Sequence, residues 1–387
     1  MAVRIFSLFL LFLSLLAGRA ASFSATPPPP RPPAGGSGHA SDDEQQPQQQ
    51  TEKRLRNPTK KESIAFTARI KKSRSAKDAI RVILDIEGTS GCVPDVFQYS
   101  AAISKCAKER QVKAALSLLK RMVNQGVKPD AVVFGSVISA CEKGGEADIA
   151  LSLLAEMKAE GIRPTVITYS STISACEKGG AKYTDVALSL LAEMKAEGIR
   201  PNDYSYNSAI TSCEKGGAKY ADTALSLFNE MKGAGVKPDG VTYTTITKAC
   251  FDSTRYFEAL VKVREAADLG KRVNGRSMCI DMSTENDQAK WNLIDLTEAI
   301  ACMLLSDALL SVTTGNVGPA PTFQDIIVDT GKGQVLREKV PAFLNEVAGL
   351  EITAIEGNEG RFLMEAASLE KWVASENHKK FQSLFRE

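Results

Sequence analysis

The sequence predicts an all-α solenoid of helix-turn-helix repeats followed by a small α/β domain. Three observations carry this. Single cysteines recur at Cys106, Cys141, Cys176, Cys213 and Cys250, with gaps of 35, 35, 37 and 37 residues. The string ALSLLAEMKAEGIRP stands verbatim at 150–164 and again at 187–201, with related versions from Ala115 and Ala224. After Asn274 the period stops, and strand-like and helix-like runs alternate. A fixed period of this length marks stacked supersecondary units, none of which can bury its apolar face alone.

The chain has 387 residues, 43% apolar and 24% charged, with a formal charge of +2. That balance gives no bulk basicity, so nucleic-acid binding must be argued from local features. Residues 1–22 have a charged start, the run IFSLFLLFLSLLAG and small residues after it, the layout of a cleaved signal peptide. The run is short for a membrane span, so no membrane segment is expected in the mature form. Residues 23–60 are rich in Pro, Gly and Gln and read as a disordered transit or linker segment. The junction AASFSA, with Phe23 after the small residues, resembles the cleavage motif of plastid proteins in algae with secondary plastids of red-algal origin. The resemblance implies a bipartite signal plus transit peptide and a plastid destination; mitochondrion and secretion are the alternatives.

Each unit reads as two helices. In one of them Tyr169, Thr172, Ile173 and Cys176 share a helix face, and Gly179 and Gly180 end that helix. Ala187, Leu190, Leu191 and Met194 form a second stripe, Gly198 ends it, Ile199 packs back and Pro201 prevents continuation. The pentapeptide CEKGG, at Cys141, Cys176 and Cys213, marks the turn between helices. Its cysteine lies on the inner stripe, where a free thiol packs as a small hydrophobe; a metal or redox role is the alternative. No CxxC pair of the kind zinc needs occurs. Array boundaries are 61–274: a capping unit at 61–95, then repeats at 96–130, 131–165, 166–202, 203–239 and 240–274. The two extra residues of the 37-residue repeats fall between the helices, as GGEADIALS against GGAKYTDVALS shows.

The segments EMKAEGIRPTVITYSSTISAC and EMKGAGVKPDGVTYTTITKAC resemble the pentatricopeptide repeat. The Trp-Leu-Gly-Tyr pattern of tetratricopeptide repeats does not fit, because Trp291 and Trp372 both lie outside the array. The resemblance implies a right-handed superhelical solenoid that binds single-stranded RNA, one base per repeat. It also implies that the fifth and last residues of a repeat read the base and the second sandwiches it. The reading pairs are then Ser100 with Asp130, Gly135 with Thr165, Ser170 with Asn202, Asn207 with Asp239, and Thr244 with Asn274. Family convention gives G, unread, A, U and A. The sandwiching residues are Phe97, Val132, Ile167, Tyr204 and Val241. The capping unit has Ile64 near the reading position. The alternative is that Ser, Asn and Asp here are only helix N-caps, worth about 1 kcal/mol each. Residues 96–274 carry 24 Lys and Arg against 20 Asp and Glu, a surplus of four, which argues for modest affinity or a helping domain.

In residues 275–387, WNLIDL reads as a strand, TEAIACMLLSDALL as a helix and FQDIIVDTGKG as a strand entering a glycine turn. VLREKVPAFLNEV reads as a helix, and LEITAIEGN with GRFLME as a strand pair. This order, with TGKG before VLREKVPAFL, resembles a small MutS-related (Smr) domain. Its glycine loop is present as Thr330, Gly331, Lys332 and Gly333, a candidate phosphate loop; a tight turn is the alternative. The first-strand Asp-Leu-His motif of that family falls on Asn292, Leu293 and Ile294, so aspartate and histidine are both missing, with Asp295 one position on. The expected function is RNA binding in an organelle, in transcript processing, stabilisation or translation, with protein partners from a processing complex. No catalytic residue, metal or cofactor is assigned. The alternatives are an RNA endonuclease guided by the array and a protein-binding scaffold.

Overall fold

The computed structural model describes residues 56–386 apart from 89, 271, 274–275, 278–280, 286–287, 314–325, 332 and 359. The expectations for residues 1–55 therefore lie outside the described residues, as do those for Asn274 and Lys332. Twelve helices pair into six units. α1 (Lys60–Lys72) and α2 (Ala76–Gly88) form the cap. Repeat 1 is α3 (Val96–Lys108) and α4 (Val112–Asn124), and repeat 2 is α5 (Ala131–Gly144) and α6 (Ala147–Ala159). Repeat 3 is α7 (Val166–Gly179) and α8 (Thr184–Ala196), and repeat 4 is α9 (Asp203–Gly216) and α10 (Ala221–Gly233). Repeat 5 is α11 (Gly240–Asp252) and α12 (Tyr256–Asp268).

The first helix of each unit, its A helix, packs against the A helices before and after it. The second, the B helix, packs on its own A helix and on the next one. The stripes explain why. Tyr169, Ile173 and Cys176 are buried on α7, as are Ala187, Leu190, Leu191 and Met194 on α8. The extra residues of repeats 3 and 4 form 3-10 turns, Ala181–Tyr183 and Ala218–Tyr220. Their tyrosines donate to aspartates of the preceding B helix, Tyr183 to Asp148 at 2.7 Å and Tyr220 to Asp185 at 2.8 Å. A Cβ at Gly179 or Gly216 would collide with those rings, so glycine is needed there for close approach. The next glycine, Gly180, has φ +92° and needs the left-handed region for a different reason.

After the array come a short hairpin, β1 (Arg272–Val273) with β2 (Arg276–Ser277), and then a five-stranded sheet. Its strands are β3 (Asp281–Glu285), β4 (Gln288–Asn292), β5 (Ile326–Asp329), β6 (Thr353–Ala354) and β7 (Arg361–Met364), in the order β3-β4-β5-β7-β6. β4 and β5 are parallel and the other pairs antiparallel. The crossover between the parallel strands contains α13 (Glu298–Thr313). α14 (Gln334–Phe343), α15 (Ala366–Val373) and α16 (Glu376–Ser383) complete the chain. The reading of WNLIDL as a strand is corrected: β4 ends at Asn292, whose Oδ1 accepts the Ile294 N–H at 3.0 Å and turns the backbone. Asp295 follows with φ +65°. Strand β3 and helices α15 and α16 were not foreseen. Among the described residues, no helix is long and apolar enough to cross a membrane.

The last repeat is covered rather than left open. Phe251 and Tyr256 stack on Phe343 with ring centroids 5.8 and 6.0 Å apart, and Tyr256 also meets Phe385 at 6.2 Å. At the other end of this segment His378 is buried beside Trp372, ring centroids 4.7 Å apart, with Nδ1 3.1 Å from the Val373 carbonyl. Burial holds its pKa below the ordinary 6.5. A group depressed in the folded state gives stability that is present above its unfolded pKa and lost as pH falls toward the folded value. Urea midpoints read by tryptophan fluorescence are therefore expected to fall as pH drops below about 6.5, and His378→Gln should flatten that slope. Both tryptophans lie in this C-terminal part, so the signal is local to it.

Candidate nucleic-acid interface

Five apolar side chains stand in water at the same place in successive repeats. The second residue of each A helix is Phe97, Val132, Ile167, Tyr204 or Val241, exposed by 71, 61, 64, 43 and 60%. A single exposed apolar residue is ordinary on a protein surface. A row repeated five times at one helical position is a surface feature. Tyr204 differs from the rest. Its hydroxyl lies 2.9 Å from Ser174 Oγ and donates to Glu142 Oε1 at 3.0 Å, which ties its ring across the neighbouring A helix.

The residues at repeat ends are N-caps of the next A helix. Asp130 accepts from the Val132 and Val133 amides, Thr165 from Thr168, Asn202 from Ser205 and Asp239 from Thr242. Two of the expected reading pairs meet directly. Ser170 Oγ lies 3.4 Å from Asn202 Oδ1, and Asn207 Nδ2 donates to Asp239 Oδ1 at 3.4 Å. Ser170 is buried and also bonds Ser205 at 2.7 Å. Thr242 donates to Asn207 Oδ1 at 2.6 Å. Thr244 donates back to the Gly240 carbonyl at 2.7 Å, and Gly135 is buried in α5. Ser100 is half-buried in a cleft between α1 and α3, apart from any bond to Asp130. Ile64 is exposed on α1.

The charged pair inside CEKGG was read only as part of a recurring turn, and the structure gives it a partner. Glu142 pairs with Lys178, Glu177 with Lys215 and Glu214 with Lys248, each across one repeat boundary. Glu142, Glu177 and Glu214 are mostly buried, with side chains 7, 15 and 15% exposed, so their charges depend on these lysines. The B helices carry a second ladder: Lys158 to Glu193, Lys195 to Glu230 and Lys232 to Glu265. The signal was in the sequence. On the A face glutamate recurs at one place in repeats 2, 3 and 4, and lysine at the next place in repeats 3 and 4. Lys248 stands four places earlier in repeat 5, and stacking brings these unlike places together.

The five ladder cysteines are buried and unpaired. Burial pushes the thiols of Cys141 and Cys213 up to about 12, and those of Cys106, Cys176 and Cys250 up to about 11. They are therefore protonated and unreactive at neutral pH. In the sheet, Asp329 is buried at the end of β5. It lies 3.1 Å from both Lys290 Nζ and Arg361 Nε, and accepts the Gly331 N–H at 3.0 Å. Burial alone would raise this carboxyl; the Gly331 amide and Lys290 outweigh that and hold it below its ordinary range. Thr330 donates from both N and Oγ1 to the Gly360 carbonyl, at 2.8 and 2.9 Å. The polar groups of Asp329 and Thr330 are thus occupied in joining strands. Gly331 turns the chain with φ +69°, and Gly333 precedes α14.

Helix pairs stacked in this way, with an exposed row and ion pairs across the boundaries from repeat 2 to repeat 5, define the class: an α-solenoid of two-helix repeats. Residues 92–268, a little under half the chain, match the family model described as the pentacotripeptide-repeat region of PRORP. Similar solved structures include the PPR domain of Arabidopsis thaliana protein-only RNase P 1 in complex with tRNA. It is 20% identical, with a TM-score of 0.40 over 44% of this chain and 89% of that one. The pentatricopeptide repeat protein PPR10 in complex with an 18-nt psaJ RNA element is 20% identical, with a TM-score of 0.45 over 68% of this chain and 39% of that one. Nuclear proteinaceous RNase P 2 from A. thaliana is 17% identical, with a TM-score of 0.40 over 45% and 38%. None of the curated proteins matches the chain.

Proposed function

We propose that the array binds single-stranded RNA sequence-selectively along its A-helix face, and that it does so in a plastid, in transcript processing, stabilisation or translation. The observation that supports this most is the row Phe97, Val132, Ile167, Tyr204 and Val241. Apolar faces at a regular interval offer stacking surfaces to successive bases, worth about 1–3 kcal/mol per base. The polar residues beside them cap helices and keep capacity for a ligand as well. Asp130 and Asp239 cap through Oδ1, which leaves Oδ2 for a base-edge donor. Asn202 caps through Oδ1, which leaves its amide group as donor. Capping and reading therefore use different atoms of one side chain. The sheet unit, which resembles a small MutS-related domain lacking its Asp-Leu-His motif, serves here as a cover for repeat 5 and a site for protein partners.

The test is crosslinking of the organellar protein followed by sequencing of bound RNA. The expected result is enrichment of a small set of transcripts sharing a short single-stranded word. Recovery of no transcript above background would sink the proposal. Enrichment without a shared word would remove sequence selectivity from it.

A further inference from the structure

The A-face ladder is broken at its N-terminal end. Repeats 2, 3 and 4 each supply a glutamate, at Glu142, Glu177 and Glu214, and the next repeat supplies the lysine that pairs with it. Repeat 1 reads Cys106-Ala107-Lys108 where its neighbours read Cys-Glu-Lys. Ala107 has no carboxylate to offer. Lys143, the residue of repeat 2 in register with Lys178 and Lys215, has no ion-pair partner among the described residues. One unit earlier the place of the glutamate is taken by Lys71 on α1, a helix with five basic residues and one acidic.

The effect is a change of charge along one face. Lys178, Lys215 and Lys248 are neutralised where they stand. Lys71 and Lys108 are exposed, without carboxylate partners among the described residues, and line one cleft with Phe97, Ser100, Ser104 and Lys105. Lys105 donates to the Ser73 carbonyl at 2.8 Å, so its charge is also not cancelled by an acid. Three ammonium groups, three hydroxyls (Thr67 with the two serines) and an exposed aromatic ring in one open cleft match a phosphate backbone with a base attached. They do not match an apolar or cationic ligand.

We propose that the cleft between α1 and α3, continued by Lys143, is a clamp for the phosphate backbone of single-stranded RNA, and that the ladder confines this clamp to the N-terminal half of the array. The inference rests on the RNA-binding reading above. It makes the first unit part of the site rather than a cap. Ala107 is the residue that keeps the clamp charged, and Glu142, Glu177 and Glu214 keep the rest of the face neutral.

The test is the salt dependence of binding to a labelled random-sequence single-stranded RNA. Each phosphate contact contributes about 0.7 to the slope of log K against log salt. Replacing Lys71, Lys108 and Lys143 together by Gln should flatten the slope by about 2, that is, about 0.7 for each of three contacts. Ala107→Glu restores the missing rung beside Lys143 and should flatten it by about 0.7. Replacing Glu142 and Glu177 together by Gln frees Lys178 and Lys215 and should steepen it by about 1.4; Lys248 would keep Asp252 as partner even without Glu214. Circular dichroism confirms that each variant is folded, and the single Ala107→Glu change keeps the test available if a triple variant is not. An unchanged slope in the lysine triple or in Ala107→Glu, with RNA still bound, overturns the clamp and leaves the RNA reading standing. A wild-type protein that binds no RNA overturns both.

Discussion

Replacing Phe97, Val132, Ile167 and Val241 together by Ala is expected to weaken single-stranded RNA binding about a hundredfold or more, while the melting temperature barely moves. All four side chains are mostly in water, so truncation removes little buried surface. Alanine is also the best helix former, so the A helices lose nothing in propensity. Binding should suffer because each position offers a base about 1–3 kcal/mol of stacking, and 1.4 kcal/mol is already tenfold. The Asp series goes further. Each of these residues is second in its helix, where a carboxylate is favoured by the helix dipole. The aspartate variant should therefore be as stable as wild type, yet bind more weakly than the alanine variant, because it also repels phosphate. A fluorescence-anisotropy titration reads the affinity, and a thermal melt by circular dichroism reads the fold. Unchanged affinity in the alanine variant would take the row out of the binding site. Tyr204 is left intact because its hydroxyl joins Ser174 and Glu142, so changing it would disturb packing as well.

The repeat architecture was legible because its causes are local and recur. Proline and glycine punctuate each unit, N-caps open each A helix, and an apolar stripe repeats at helical spacing. Five copies of one message make the register hard to miss. The long-range consequences were harder to see. Glu142 meets Lys178 only because stacking brings position 12 of one repeat to position 13 of the next. Nothing within one repeat shows that pairing. Its break at Ala107 is visible in the sequence only once the pairing is known. The sheet was less legible still. Asn292 continues a run of strand-like residues, but its side chain caps a turn and ends β4 early. Strand β5 is buried along its whole length and reads clearly, whereas β6 is two residues long and exposed.

Phe228→Ala is expected to cost about 3–5 kcal/mol, among the largest single effects in the array, whereas Phe228→Leu should cost about 1. The sequence itself sets up this contrast. The same place in repeats 1, 2 and 3 is leucine, at Leu119, Leu154 and Leu191, and only repeat 4 has phenylalanine. Phe228 is fully buried at the junction of α10 and α11. Its ring meets Tyr243 edge-on at 5.3 Å, and Lys262 Nζ sits 4.6 Å from its centroid. Tyr243 in turn donates to Glu265, so the ring supports one end of the B-helix ladder. Alanine would open a cavity beneath Tyr243 and loosen repeat 5 from repeat 4. Leucine keeps most of the volume and matches what the other repeats accept. In a solenoid each unit is stabilised by its neighbours, so a weakened junction lets the units beyond it unfold separately. Urea unfolding of Phe228→Ala, followed by far-UV circular dichroism and tryptophan fluorescence in parallel, should therefore show two transitions where the wild type shows one. The fluorescence transition should come first, because both tryptophans lie beyond repeat 5 and that side contains the fewer repeats. Coincident transitions at the wild-type midpoint would mean that the junction does not carry the load assigned to Phe228.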